Sequence, residues 1–248
     1  MNYRISQKFL ISKIEPLPFK TTIEDQDARH IFKVLRLGPE ATISVTDGKG
    51  KDYIATILSA SSSIIDIQIT REQTTSTESP LQITLCSGML KDRKMDLVIK
   101  HVVQLGIFQW IPFFCERSIP SPNTNKLRNR HKRWETIAKE SLKQCNRSRL
   151  VDIAKPVSFK DLLLNTFDHD LKIAFWEKAT QPLANLKTTQ THPKVVILIG
   201  PEGGFSENEI QMAQTKGFSS YSLGPRILRA ETASIASCTL IQHLLGDI

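Results

Sequence analysis

The chain has 248 residues, 40% hydrophobic and 23% charged, an ordinary globular composition long enough for one large domain or two smaller ones. Its 33 Lys and Arg against 25 Asp and Glu leave a net charge of +8, which favours a polyanionic partner, with nucleic acid the leading candidate. No apolar run approaches the ~20 residues a membrane-spanning helix needs. The opening MNYRISQKFL lacks a signal-peptide core, and Cys86, Cys115, Cys145 and Cys238 share no C-x-x-C pair and have no histidines at metal-ligand spacing. A spanning helix, a disulfide scaffold and a metal centre are therefore not expected, and a reducing, cytoplasmic setting is.

In chain order, the first feature is a short helical segment in which Arg29, Lys33 and Arg36 fall on one face at i, i+4 and i+7, beside His30. From Ala41 to Thr70 the pattern becomes strand-like. ATISV, DYIATIL and SIIDIQIT alternate apolar with polar residues, and Asp47-Gly48 and Lys49-Gly50 supply turn chemistry between the first two. The stretch Arg71–Pro80 is polar, rich in Thr and Ser, and closed by a proline. A domain is therefore placed over 1–72, a linker over 73–80 and a second domain over 81–248.

Beyond Pro80, strands alternate with helices: LQITLCSG, then a helix over Lys94–Leu105 with Leu97, Val98, His101, Val102 and Leu105 on one face, then QWIPFF. A helix over Lys132–Cys145 follows, with Trp134, Ile137, Ala138, Ser141 and Leu142 on its apolar side, then a weaker helix near Phe159–Leu164 and the strands LKIAFW and VVILI. This order implies βαβ units and a mostly parallel sheet. A basic run, Leu127–Arg133, and the pair Arg147 and Arg149 add positive charge.

The run KVVILIGPEGGFSENE carries the strongest local signal. Val195–Ile199 suit a central parallel strand. Gly200, Gly203 and Gly204 allow a sharp turn and close approach to a ligand. Ser206 and Glu209 form the capping box of a helix ending near Gly217. A glycine loop between strand tip and helix start is a ligand position in open α/β sheets, though it also serves as a plain tight turn. It is neither a Walker A loop nor a G-x-G-x-x-G fingerprint. The second segment, Gly224–Thr232, places Arg226, Arg229 and Glu231 between a short strand ending at Leu223 and a final helix over Ala233–Leu245. Such charges need partners or a site to face; an Arg–Glu structural pair at the helix start is the plainer alternative.

Together, IGPEGGFSENE and LGPRILRAETA resemble the paired C-terminal motifs of the RsmE family, rRNA uridine-N3 methyltransferases of the SPOUT superfamily. KDRKMDLVIKHVVQLGIFQWIPFFCERS resembles that family's first βαβ unit, RWETIAKESLKQCNR its next helix, and ARHIFKVLRLGPEATISVTDGKG its small N-terminal barrel, so the likeness covers nearly the whole chain. Between Gln144 and Ile153 the chain departs from the family's usual Q-S-G-R and its following proline, which bears on local loop geometry.

The resemblance implies an α/β fold: a SPOUT-type C-terminal domain with parallel sheet and deep trefoil knot, plus a PUA-like β-barrel domain for RNA. It implies S-adenosylmethionine as cofactor, bound by Phe175, Trp176, Glu177, Ile199, Gly200, Pro201, Gly203, Gly204, Leu223, Gly224, Ile227, Leu228, Arg229, Thr232 and Ala233. It also implies 16S ribosomal RNA, within the small subunit, as substrate, a homodimer, and no metal. Methylation at N3 of uracil needs the imide proton removed and the resulting charge stabilised. Arg229 or Arg226 is expected to stabilise charge, and Glu202 or Glu231 to take the proton or orient the arginine, Glu231 being equally well explained as a helix-dipole carboxylate. Arg29, His30, Lys33, Arg36, Arg147 and Arg149 are expected to contact RNA. Two rival readings stay open: a non-catalytic RNA-binding protein with a dimerising α/β domain, and a glycine-loop enzyme binding a phosphorylated small molecule.

Overall fold

A computed structural model describes residues 8–11, 13–74, 77–91, 93–119, 124–164 and 168–248. The chain divides into two units, one of Met1–Glu78 with Leu142–Leu150 and one of Ser79–Ser141 with Val151–Ile248. The return of 142–150 to the first unit differs from the simple linear division at 73–80.

In the first unit, strands β1 (Lys8–Leu10), β2 (Phe19–Glu24), β3 (Thr42–Thr46), β4 (Asp52–Ala60) and β5 (Ile64–Gln73) form one sheet in the order β1-β3-β4-β5-β2. Only β1 and β3 run parallel. Among the described residues β1 and β2 remain edges, so the ladder does not close into a hydrogen-bonded barrel. Alternating residues such as Ile43, Val45, Ala55, Ile57, Ile65, Ile67 and Ile69 are buried, as the period of two demands. Helix α1 (Asp25–Arg29) continues as a π-type turn over His30–Val34 and packs Ala28 and Ile31 into the same core. Arg36 lies beyond this turn with φ of 52°, and so does not share a helical face with Arg29 and Lys33: the wider turn and the left-handed exit replace the straight helix that the spacing predicts.

The second unit is built on parallel strands β6 (Gln82–Gly88), β7 (Gln109–Phe114), β8 (Asp152–Ile153), β9 (Val157–Ser158), β10 (Leu171–Phe175), β11 (Lys194–Ile199) and β12 (Ser219–Tyr221). The order is β12-β10-β11-β6-β7-β8, with β9 also on β7. Successive residues of β11 face opposite sides: Val195, Ile197 and Ile199 join one core cluster, Val196 and Leu198 the other. Helices α2 (Lys94–Gln104), α3 (Thr124–Cys145) and α6 (Ala230–Leu245) contribute to the first cluster, and α4 (Phe159–Leu164) and α5 (Glu207–Thr215) to the second. This accounts for strands apolar on both faces.

Three helices differ from the sequence expectation. α2 buries Met95, Val98, Ile99, Val102 and Val103, so its core face is rotated from the expected one and Leu97 is exposed. α3 starts at Thr124 rather than Lys132, because its first two turns are polar and carry no periodic signal. α6 starts at Ala230 rather than Ala233, which brings Glu231 into its first turn. α6 is pinned to the end of α2 by fully buried Gln242, whose Nε2 donates to Leu105 O at 2.8 Å while Ser79 Oγ donates to its Oε1 at 2.9 Å. No described helix is long and apolar enough to cross a membrane.

Candidate active site

All strands of the parallel sheet end on one side, and connections from β6 and β11 leave in opposite directions, β6 toward β7 and β11 toward β12. Ligands in open α/β sheets lie at such a switch point, outside the carboxyl ends of the strands. Here the backbones come unusually close. A Cβ added to Gly88, at the tip of β6, would lie 2.5 Å from Pro201 N, so only glycine lets the loop after β11 cross this tip. Gly204 closes that loop at φ 67°, with its N–H donating to Pro201 O at 2.9 Å.

The loop is anchored at both ends. Phe205 is buried and stacks on Phe113 with ring centroids 6.2 Å apart. Ser206 caps α5: its Oγ accepts the Glu209 N–H at 3.3 Å, and Glu209 Oε2 accepts the Ser206 N–H at 2.9 Å. Glu209 Oε1 also accepts the Glu116 N–H at 2.9 Å, so one buried carboxylate ties the start of α5 to the turn after β7. The capping box thus fixes the position of a binding loop as well as the start of a helix.

Between this loop, the tip of β10 and the segment Ser222–Ala230 lies a cavity of about 530 Å³, within the ~300–1,000 Å³ range of small-ligand sites. Phe175, Trp176, Glu177, Ile199, Gly200, Pro201, Gly203, Gly204, Leu223, Gly224, Ile227, Leu228, Arg229 and Ala233 all line it, as do Glu202 and Arg226. Of the residues assigned to the cofactor from sequence, Thr232 alone is not among the lining; it is exposed on α6. Ile227, one of the residues assigned to the cofactor, is 86% exposed. Apolar Phe175, Ile199, Leu223 and Leu228 stand beside the carboxylates of Glu177 and Glu202 and the guanidinium groups of Arg226 and Arg229. The lining suits an amphiphilic ligand with a flat heterocycle and a charged tail. Gly224 fits this reading: its φ is 111° and nothing lies within 4 Å of where its Cβ would be.

The charged groups of the cavity are not equivalent. Arg226 and Arg229 are exposed, and neither side chain has a hydrogen-bond or ion-pair partner among the described residues. The plain Arg–Glu pair at the helix start is therefore not formed. Glu202 is held: its Oε1 accepts from Lys94 Nζ at 3.1 Å and from the Lys91 N–H at 3.2 Å. Burial alone would raise its pKa, but the Lys94 ammonium and the backbone N–H donors outweigh burial and leave it below the usual carboxylate range. A carboxylate in that state is a poor proton acceptor at neutral pH. Glu231 is only 8% exposed, its Oε2 is buried without a hydrogen-bond partner, and Lys94 Nζ stands 4.0 Å away. Lys94, in the cavity lining, thus sits between Glu202, which also lines the cavity, and Glu231, which does not. Sequence reading missed it, as it missed Gly88: the partner glutamates lie more than a hundred positions downstream, and no local pattern marks the pairing.

Residues expected to meet RNA separate within the first unit. Arg29, Lys33 and Arg36 are exposed with no side-chain partner among the described residues, whereas His30 is half-buried, its ring centroid 6.4 Å from that of Phe9. Arg147 is a correction. It is 3% exposed, and its Nη2 and Nε donate to Glu78 Oε2 at 2.7 and 3.2 Å, so it holds the fold and is closed to RNA. Glu78 Oε1 also accepts the N–H groups of Ser148 and Arg149 at 2.6 and 3.0 Å. Arg149 is half-buried. No group of three or more metal-ligating side chains is found among the described residues.

Comparison with known proteins agrees with both units. Residues 77–242 match a model of the RNA methyltransferase domain, and residues 23–70 match one of the RNA methyltransferase PUA domain. A ribosomal RNA small subunit methyltransferase E from Buchnera aphidicola is 33% identical over 91% of this chain and 88% of its own length. One from Bacillus subtilis is 26% identical over 91% and 92%. Among solved structures, a ribosomal RNA small subunit methyltransferase E from Neisseria gonorrhoeae bound to S-adenosyl methionine superposes with a TM-score of 0.89 at 29% identity, covering 98% of this chain and 99% of that one. A methyltransferase from Legionella pneumophila in complex with the same cofactor gives 0.87 at 25% identity, covering 97% and 98%.

Proposed function

This chain belongs to the ribosomal RNA small subunit methyltransferase E family, and on that premise we propose that it uses S-adenosylmethionine to methylate N3 of one uridine in 16S ribosomal RNA. The observation that carries the reading is the cavity at the strand tips, where the glycine loop faces two arginines that have no side-chain partner among the described residues. S-adenosylmethionine supplies an electrophilic methyl group when bound. Phe175, Gly200, Leu223 and Leu228 give its heterocycle flat and apolar walls, and Glu177 stands where a hydroxyl or cationic group is accepted.

The chain's own task is to make an imide nitrogen nucleophilic. Arg229, with Arg226 beside it, donates to the uracil oxygens and stabilises the charge that develops as N3 loses its proton. Of the two carboxylates, Glu202 is hydrogen-bonded by Lys94 and serves as a positioning group, whereas Glu231 Oε2 has no hydrogen-bond partner among the described residues and only a longer ion pair to Lys94, and Glu231 is assigned the proton or the orientation of Arg229. Arg29, Lys33 and Arg36 contact RNA phosphates, which position the substrate without reading its sequence.

Two further elements belong to the proposal. The final helix threads a loop to form a deep trefoil knot, a reading supported by α6 packing on α2, β6 and β11. The protein acts in the cytoplasm as a homodimer, supported by exposed Leu97 on α2 and Leu240 and Leu244 on the adjacent α6; a monomeric mass in sedimentation would remove the dimer. The function is tested by incubating the chain with labelled S-adenosylmethionine and small subunits lacking the modification, then digesting the RNA for mass spectrometry. A single 3-methyluridine is expected. No transfer, or a methyl on another atom, overturns the assignment.

A further inference from the structure

A single exposed apolar side chain on a protein surface needs no explanation. Phe32 and Val34 are a different case. Both lie in the π-type turn His30–Val34, 42% and 64% exposed, while neighbouring Ala28 and Ile31 fill the core. They alternate along the chain with Arg29, Lys33 and Arg36, three exposed cations without side-chain partners among the described residues. The nearby carboxylate of Asp27 is already engaged by Lys143 at 2.7 Å. Both ends of the segment adopt left-handed backbone at residues other than glycine, Asp25 at φ 57° and Arg36 at φ 52°. That geometry is sterically disfavoured and concentrates at functional sites. The wider π-type turn is itself found mostly at such sites.

We propose that Phe32 is a stacking platform for one unpaired base of the RNA, with Arg29, Lys33 and Arg36 on the phosphates of the same strand and Val34 shielding the edge of the stack. The inference rests on the RNA reading above and deepens it. Charge complementarity selects a polyanion, and the aromatic face distinguishes a splayed single strand from a duplex. In a paired A-form helix the bases are stacked on each other and offer no face, whereas unpaired bases in loops and ends stack on aromatic side chains. Every base has such a face, so Phe32 supplies affinity for unpaired RNA without choosing its sequence.

The two kinds of contact respond differently to salt. Phosphate contacts release counterions and set the slope of log K against log salt, about 0.7 per contact for a single strand; a stacked base releases none. The test measures binding of the full chain to a labelled, uridine-rich single strand of roughly 12 nucleotides, and to the same strand in a duplex, across a salt series. Phe32→Ala should weaken single-strand binding about 10-fold at every salt concentration, with the slope and duplex binding unchanged. Phe32→Trp should restore it. Replacing Arg29, Lys33 and Arg36 with Ala should weaken both RNAs and lower the single-strand slope by about 2. Unchanged melting temperatures will show that all variants fold. Wild-type chain that binds neither RNA overturns the RNA reading and the platform together. Wild-type chain that binds the strand while Phe32→Ala binds it equally, or loses the duplex to the same degree, overturns the platform alone. In the second case the exposed ring belongs to a protein contact.

Discussion

The segments Gln144–Arg149 and Pro225–Glu231 look alike in sequence, each with two arginines within a few residues in a connection before or after a helix. Their physical roles are opposite. Arg147 is buried and its guanidinium bonded to Glu78, a carboxylate that also accepts two backbone N–H groups of the same turn. Arg226 and Arg229 stand exposed at a cavity with no side-chain partner among the described residues. The first arrangement fixes a chain segment by committing the Nε and Nη2 donors to a carboxylate inside the protein, whereas the second presents its donors at a cavity. What separates them is the presence of a carboxylate at a remote position, which neither segment announces.

The contrast can be broken in three ways. Arg147→Ala should have the largest effect on folding, about 3–5 kcal/mol, because it leaves the half-buried Glu78 charge without its counter-ion. Urea unfolding that shifts by less than about 0.5 kcal/mol would show that the clasp is incidental. Arg229→Ala should leave unfolding within about 0.5 kcal/mol of the parent, since it removes an exposed side chain, but lower turnover about 100- to 1,000-fold, as loss of a charge-stabilising donor does. Activity near the parent's would remove Arg229 from the chemistry.

The smallest expected effect is on the acid limb of stability. Burial alone would raise the Glu78 pKa, but the Arg147 guanidinium and the Ser148 and Arg149 N–H groups outweigh it and hold it below its ordinary 4.5. A carboxyl depressed in the folded state contributes stability that is present above the unfolded value and lost as pH falls through the folded one. Glu78→Gln should therefore lose stability at neutral pH and show a flatter decline than the parent below about pH 4.5. Parallel acid limbs for the two proteins would mean that Glu78 has the same pKa in both states. No such acid-dependent loss of folding is expected from Arg226→Ala, because Arg226 has no carboxylate partner among the described residues.

Other elements show how local and distant information divide. The strand Val195–Ile199, the glycines after it and the capping box of Ser206 and Glu209 are each specified within a dozen residues, and all appear in the structure as read. Nearly all the assigned cofactor residues line one cavity, because they come from motifs at strand tips, and parallel strands bring those tips to one edge. The misreadings lie where local pattern is weak or ambiguous. The polar first turns of α3 hide its start, the apolar positions of α2 fit two overlapping faces, and Arg36 belongs to a helical spacing that a π-type turn interrupts.

The sequence alone determined the alternation of strands and helices, the position of the binding loop and the family motifs that fill it, because hydrophobic period, turn residues and caps act over a few residues. Only the tertiary structure decided that Lys94 stands between Glu202 and Glu231, that Gly88 admits the crossing loop, and that Arg147 is closed to RNA while Arg229 is open to the cavity. Each depends on two groups brought together from some seventy to well over a hundred positions apart. At such separations the chain's fold, not its neighbouring residues, determines whether a charge meets a partner or a ligand.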